Sequence, residues 1–559
     1  MKNKLLIIVL NFFNFNLISL INKIFSNIWQ KFSILLIIIL LSPIIAIIIS
    51  SIVNTSDIWE HLINTKLKIY VSNTLILMLG VGLTTLLIGV TTAWIITRYK
   101  FFLSSIIEWA LLLPAAIPAY LVAYCYTDFL EYGGILQTEI REIFNWTSSK
   151  DYFFPEIRSM GGAILMLSFV LYPYVYFITK IAFRSTPKNL FETARILGKS
   201  EFYSVAIPMA RPAIIAGLSL VLMETISDFG TVEFFAIETF TLGIFNVWLG
   251  MNNLGAAAQL SLISFIFIVV VLGIELTARK NRRFNDTKIN NFKLEKISNK
   301  KEFLLLLITL TPIVFGFMIP VLILINLAVS NFHNNDINEL IKISYNTIFI
   351  ASVASLLIIL ISLILSITVK YKGKSKFVFF ATTAGIGYAF PGIILALGTT
   401  FFLAFVENLF ESTFMFFDIN LNIVLIGSYS ALIFAYISRF NAIGFGSLTS
   451  GIIRMPPNLV EASRVLGYKF EKSIFKVVIP IIRPSILTGL LLVFVDITKE
   501  LPMTLLLRPF NFETLATFVY QYAKEEMLEQ CALAALFIVL VGIIPIIVLN
   551  KIINKNNRI

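Results

Sequence analysis

The chain has 559 residues, 58% of them hydrophobic and 14% charged, with a mean hydropathy of +0.88 and a net charge of +12. So little charge cannot cover a soluble protein of this length, and apolar runs of about 20 residues, enough to cross a hydrocarbon core, recur along it. The net charge does not point to nucleic acid, because it is distributed as alternating loop charge: residues 279–302 hold nine Lys/Arg against three Asp/Glu, and residues 128–158 hold six acids against three bases. That alternation is the positive-inside pattern. Residues 1–32 form a basic lead-in interrupted by Asn11, Asn14 and Asn16. Its start imitates a signal peptide but lacks a small-residue cleavage site, and whether residues 4–22 add a membrane segment is open. Spans are predicted at 33–53, 70–97, 105–127, 161–183, 212–230 and 257–277, then at 304–330, 345–369, 378–406, 421–440, 484–504 and 531–550.

The chain thus reads as an all-α integral membrane protein with about 12 transmembrane helices in two homologous halves. The first half is residues 33–278 and the second 304–550, joined by a basic linker at 279–303 with little fixed structure and followed by a tail at 551–559. Loop charge places linker, tail and both termini in the cytoplasm. Pro114, Pro118 and Pro391 are expected to break or kink the third span of each half. Cys125, Cys531, His61 and His333 supply neither a disulfide framework nor a metal cluster; they read as buried thiols and loop imidazoles.

An internal repeat relates the halves. Residues 190–212 read LFETARILGKSEFYSVAIPMARP, and residues 459–484 read LVEASRVLGYKFEKSIFKVVIPIIRP. Glu192 matches Glu461, Ala194 matches Ser463, Arg195 matches Arg464 and Gly198 matches Gly467; Pro208 matches Pro480 and Gly217 matches Gly489. Each copy lies between the fourth and fifth spans of its half. The pattern describes a short helix bearing Glu192, Ala194 and Arg195, or Glu461, Ala462 and Arg464. A glycine then turns the chain, and a proline returns it to the membrane. Small residues let a partner approach closely, and Glu and Arg orient it. Gly467 to Pro480 spans thirteen positions but Gly198 to Pro208 only ten, so the first loop lacks about one helical turn.

These loops resemble the Glu-Ala-Ala loop of ABC importer permeases, and both halves follow that plan across nearly the whole chain. The resemblance implies a type I importer-like fold in a bacterial inner membrane, with two copies of a cytoplasmic ABC ATPase docked on the loops. It also implies a periplasmic substrate-binding protein and surrounding lipid as partners, with no nucleic acid. The chain itself is then no enzyme and carries no cofactor, ATP being bound by the ATPase. Walker A needs Gly-x4-Gly-Lys-Ser/Thr, whereas Gly-Lys-Ser at 198–200 and 373–375 follow Thr193 and Thr368. Finer features are similar to the ferric-ion branch: residues 113–120 (LPAAIPAY), 228–231 (DFGT), 239–245 (TFTLGIF), 499–502 (KELP), 506–510 (LLRPF) and Tyr520. Thiamine, phosphonate, sulfate and polyamine permeases share the scaffold.

The fifth spans also carry carboxylates four residues apart, Glu224 and Asp228 in one half, Asp496 and Glu500 in the other. That spacing puts each pair on one helix face, and intramembrane acids commonly line a pathway or meet one another. Lining would attract a cation, and ferric iron prefers oxygen ligands, although no metal site is assigned. The other reading is that these acids sit near the outer mouth, cap helix ends or pair with Lys499. Tyr120 and Tyr124 read as packing. An ion-coupled secondary transporter with two related halves is the competing class, and a membrane-embedded enzyme the third; neither calls for a duplicated Glu-x-x-Arg-x-x-Gly loop.

Overall fold

Inside a bilayer every backbone N–H and C=O must find a partner within the protein, so apolar stretches of this length fold as helices. A computed structural model of the chain describes residues 28–53, 58–280, 295–296, 298–334, 336–373, 375–416, 424–456 and 458–556. Among these are eleven helices long and apolar enough to cross a membrane, or up to twelve spans if the pair Ser104–Ala116 and Ala119–Phe144, bent by 90°, is counted as one. Each predicted segment falls on one of these spans, and the all-α reading holds. Among the described residues the one β pairing is a two-residue parallel contact of Tyr99–Lys100 with Glu295–Lys296.

The lead-in at 1–27 and the linker at 281–294 lie outside the described residues. The first span begins at Ile28, within the predicted lead-in, and the last helix continues to Asn556. His61 sits in the short helix Ile58–Thr65 rather than in a loop.

The contacts of the chain gather into two compact units, which do not coincide with the two sequence halves. One contains the first span, residues Asn252–Leu262 and Tyr345–Thr514. Within it, Ile28–Val53 packs on Gly392–Phe416, and Ser33 Oγ donates to Thr368 Oγ1 at 3.0 Å. The other contains Ile58–Met251, Ile263–Ser344 and the chain from Leu515 onward. Its centre is Leu67–Arg98, Met160–Ser185 and Ile207–Ser227 packed together. A Cβ on Gly217 would lie 2.9 Å from Val175 Cα, so only glycine allows that approach. Each unit therefore joins spans two to five of one half to the first span of the other.

Proline shapes these helices. Pro114 and Pro118 break the third span of the first half, where a 3-10 turn, Leu113–Ala116, separates two helices. The same happens at Ile386–Ala389 before Pro391 and the helix Gly392–Phe416. Three other prolines, Pro208, Pro320 and Pro480, follow π-helical turns, at Phe202–Ala206, Val314–Met318 and Ile474–Val478. The proline ring displaces the carbonyl four residues before it and offers no N–H, so the turn widens to i→i+5 bonding. Ile207, Ile319 and Ile479 donate to Phe202, Val314 and Ile474 respectively.

In this geometry Phe315 O would need the N–H that Pro320 lacks. Tyr126 Oη donates to it instead, at 2.7 Å. Tyr126→Phe strands that carbonyl and is expected to cost about 1–3 kcal/mol. Thermal unfolding in detergent, with the exposed Tyr132→Phe as control, checks it; equal melting of the two variants would contradict the assignment.

Candidate functional site

In the first repeat loop, Lys188–Ile196 forms a helix and Gly198 has φ +64°. Lys199 N–H donates to Ala194 O at 2.9 Å and Gly198 N–H to Arg195 O at 3.1 Å. The second loop repeats this arrangement on the helix Leu459–Val465. There Gly467 has φ +90°, with Tyr468 N–H on Ser463 O and Gly467 N–H on Arg464 O. Both are Schellman caps, in which glycine takes the left-handed position and the last carbonyls are satisfied. The predicted glycine turns are present at both sites.

Each loop helix has a seated face and an open face. Phe191 and Ala194 are buried in a core with Ile96, Phe183 and Ala206, and the Trp94 ring packs against Phe183, Phe191 and Phe202. Val460 and Ser463 take the matching buried positions in the second loop, where Ser463 Oγ donates to Ser473 Oγ at 2.7 Å. Ala194 therefore faces the protein's own core, a correction to its expected place under a partner, whereas Ala462 is exposed. Glu192 is exposed and bridges to Lys188 at 3.1 Å.

The open faces also carry bare hydrophobic side chains that the motif did not single out. Ile196 is 85% exposed and Leu197 63%; Val465 is 88% and Leu466 80%. Beside the second loop lies an open cavity of about 750 Å³ lined by Glu461, Arg464, Tyr468, Lys469 and Glu471 among others. Apolar groups in water rimmed by charge are a feature of protein-binding faces.

The missing turn of the first loop can be located. Helix resumes three residues after each glycine, at Glu201 and at Phe470. The membrane spans that follow are Phe202–Ser227, 26 residues, and Phe470–Thr498, 29 residues. The shortening lies within the returning helix, ahead of its π turn, and the glycine turn keeps its length.

The carboxylates are arranged differently from expectation. The helices end at Ser227 and Thr498, so Asp228 and Glu500 lie beyond them and do not share a helix face with Glu224 and Asp496. Each instead caps the short helix that follows. Asp228 accepts from Thr231 N, Val232 N and Thr231 Oγ1 at 3.0–3.1 Å. Glu500 accepts from Met503 N, Thr504 N and Thr504 Oγ1 at 2.8–3.0 Å. A side-chain oxygen at a helix start satisfies N–H groups that have no partner in the helix. Asp496 pairs with Lys499 at 3.2 Å.

Glu500 also meets a residue that sequence reading passed over. Arg439 Nη1 lies 2.9 Å from Glu500 Oε1, with the two side chains only 9% and 3% exposed. A lone arginine inside the apolar span Tyr429–Ile453 is itself a signal. In the other unit Glu233 accepts from Tyr520 Oη and Lys524 Nζ, both at 2.9 Å. Burial, with the Glu233 carboxylate beside it, raises the Tyr520 hydroxyl above its usual range. Tyr124 stacks edge-on against Phe234 at 4.5 Å, a packing role. Cys125 and Cys531 are buried and free.

Residues 85–282 match the family described as binding-protein-dependent transport system inner membrane component. The segment 85–282 is a permease domain of this family. Over 503 residues, 88% of this chain and 91% of the relative, the permease is 23% identical to the Fe(3+)-transport system permease protein FbpB 2 of Haemophilus influenzae. It is 26% identical over 207 residues to the sulfate transport system permease protein CysT of Salmonella typhimurium, covering 35% of this chain and 70% of that one. It is 24% identical over 151 residues to the molybdenum transport system permease protein ModB of Haemophilus influenzae, covering 26% and 62%. Such permeases work with a substrate-binding protein and an ATPase, which makes this chain an ABC importer subunit of an inner membrane.

In this permease the Arg439–Glu500 pair stabilises its unit only as a pair. Arg439→Met leaves a buried carboxylate without its cation and is expected to cost about 3–5 kcal/mol. Arg439→Met with Glu500→Gln should recover part of that loss, the rest reflecting the weakened cap. Melting temperatures of the purified variants check the order; a double variant less stable than Arg439→Met would contradict it.

Proposed function

We propose that this permease imports ferric iron, driven by two copies of an ATPase that dock on the loops at 188–198 and 459–467. The observation that carries the cargo is coverage: the match to the iron-transport relative spans 88% of this chain, whereas those to the sulfate and molybdenum relatives span 35% and 26% of it. Loop charge favours both termini and the repeat loops in the cytoplasm, with the acidic segment 128–158 outside.

The loops suit transmission of force. Each is anchored on its own unit by buried side chains and presents Glu, Arg and two bare apolar residues outward. A partner covering those residues gains apolar burial, and any displacement it imposes passes through the packed core into the adjoining spans. Closure of the ATPase pair on ATP would then favour one orientation of the spans, and release the other. A binding protein delivers cargo at the opposite end. Glu224 and Asp496 remain our candidates for contact with a passing cation, and Asp228 and Glu500 hold the short helices beside them. Among the described residues no three His, Cys, Asp or Glu side chains converge as a metal site.

The sulfate and molybdenum relatives favour a second reading, an oxyanion cargo in the same permease. Cells lacking the chain and complemented with it should regain radiolabelled iron uptake, with sulfate, molybdate and thiamine uptake run in parallel. Glu192→Ala with Glu461→Ala should lower that uptake about tenfold or more at equal membrane level, equivalent to 1.4 kcal/mol or more of lost coupling. Restored uptake of another solute alone would replace iron, and normal uptake by the double variant would remove those glutamates from coupling.

A further inference from the structure

The two loops differ in what holds their arginines. In the first, Arg195 belongs to a ring of four charges. Its Nε is 2.8 Å from Glu201 Oε1, and its Nη2 is 2.5 Å from Glu295 Oε1. Arg98 closes the ring, with Nη2 at 2.6 Å from Glu201 Oε2 and 2.7 Å from Glu295 Oε1. Each carboxylate thus meets both guanidinium groups. Arg195 donates to Glu201 and Glu295, and these hydrogen bonds raise it above its ordinary value. The inner members are largely shielded, Arg98 at 10% exposure and Glu201 at 14%.

Three of the four sit on firm ground. Arg98 ends the span Leu67–Arg98, Glu201 opens the returning helix, and Arg195 is on the loop helix itself. The fourth, Glu295, comes from the connector between the halves, where little fixed structure was expected. Its backbone pairs with Tyr99–Lys100, and a few residues on Glu302 accepts from Phe102 N at 2.5 Å. The connector is therefore bound at this point to the end of the second span. In the second loop no ion pair to Arg464 is found among the described residues, and this arginine faces the open cavity.

We propose that Glu295 is a positioning residue for coupling: acting through Arg195, it locks the first loop to the end of the second span. The second loop is left free to adjust around Arg464. The connector then does more than join the halves, because it makes the two coupling loops mechanically unequal. This inference rests on the coupling role proposed above for the loops.

An exposed ion pair often contributes little to stability, so the test reads loop motion and coupling. The full chain in lipid nanodiscs is spin-labelled at Ile196→Cys or, separately, Val465→Cys; the buried Cys125 and Cys531 stay unreacted. Glu295→Gln should increase nitroxide mobility at 196 and leave 465 unchanged, and Glu295→Asp should keep the label at 196 near its original mobility. In the permease–ATPase complex purified from its own cells, Glu295→Gln should raise ATP hydrolysis without cargo by about threefold, the scale of one ion pair. Unchanged mobility at 196, or an equal increase at 465, overturns the lock. Increased mobility at 196 with unchanged hydrolysis overturns the positioning role in coupling. Failure of the coupling assignment itself is read separately, from normal uptake by the Glu192→Ala/Glu461→Ala variant.

Discussion

A helix carbonyl or N–H left without a partner in lipid costs several kcal/mol, and much of this structure follows from meeting that constraint where the helices are interrupted. Pro208, Pro320 and Pro480 remove donors, and the backbone widens into π turns. Tyr126 supplies the donor that Phe315 O would otherwise lack. Asp228 and Glu500 satisfy the N–H groups exposed where short helices restart after the fifth spans. These acids are placed by the same requirement as the tyrosine, with the polarity reversed.

The loops depend on this framework. Their glycine turns close the last carbonyls of each loop helix, so the outward face can be devoted to a partner. The inward face is held by Phe191 and Ala194 in one copy and by Val460 and Ser463 in the other. A loop attached only by its ends would absorb a push; one seated in a core passes it on. A larger side chain at the buried small position would lift the helix from its seat.

The spans, the repeat, the glycine turns and the proline breaks were legible because each rests on local chemistry: apolar length, a positive φ, a missing N–H. The limits of the fifth spans were not. Pro212 and Pro484 looked like helix starts, yet the helices run through both from Phe202 and Phe470. Their ends were drawn too late because apolar residues continue past Ser227 and Thr498, and the stop is set by a carboxylate that turns to cap the next helix. The assembly of each compact unit from one half's spans and the other half's first span was also hidden, since an apolar stretch does not specify which neighbour it packs on. Arg439 was visible as a charge in an apolar span; its partner Glu500 was misplaced on a helix face, and so the pair was missed.

The three residues absent from the first returning helix have a geometric result. At 1.5 Å and 100° per residue, the first glycine turn stands roughly 4.5 Å nearer its π turn than the second, and roughly 60° out of phase around the helix axis. Two identical partners touching both loops with the same surface therefore cannot make identical contacts. The twofold equivalence of such a pair would be broken by the permease itself, which would give a symmetric motor a built-in left and right.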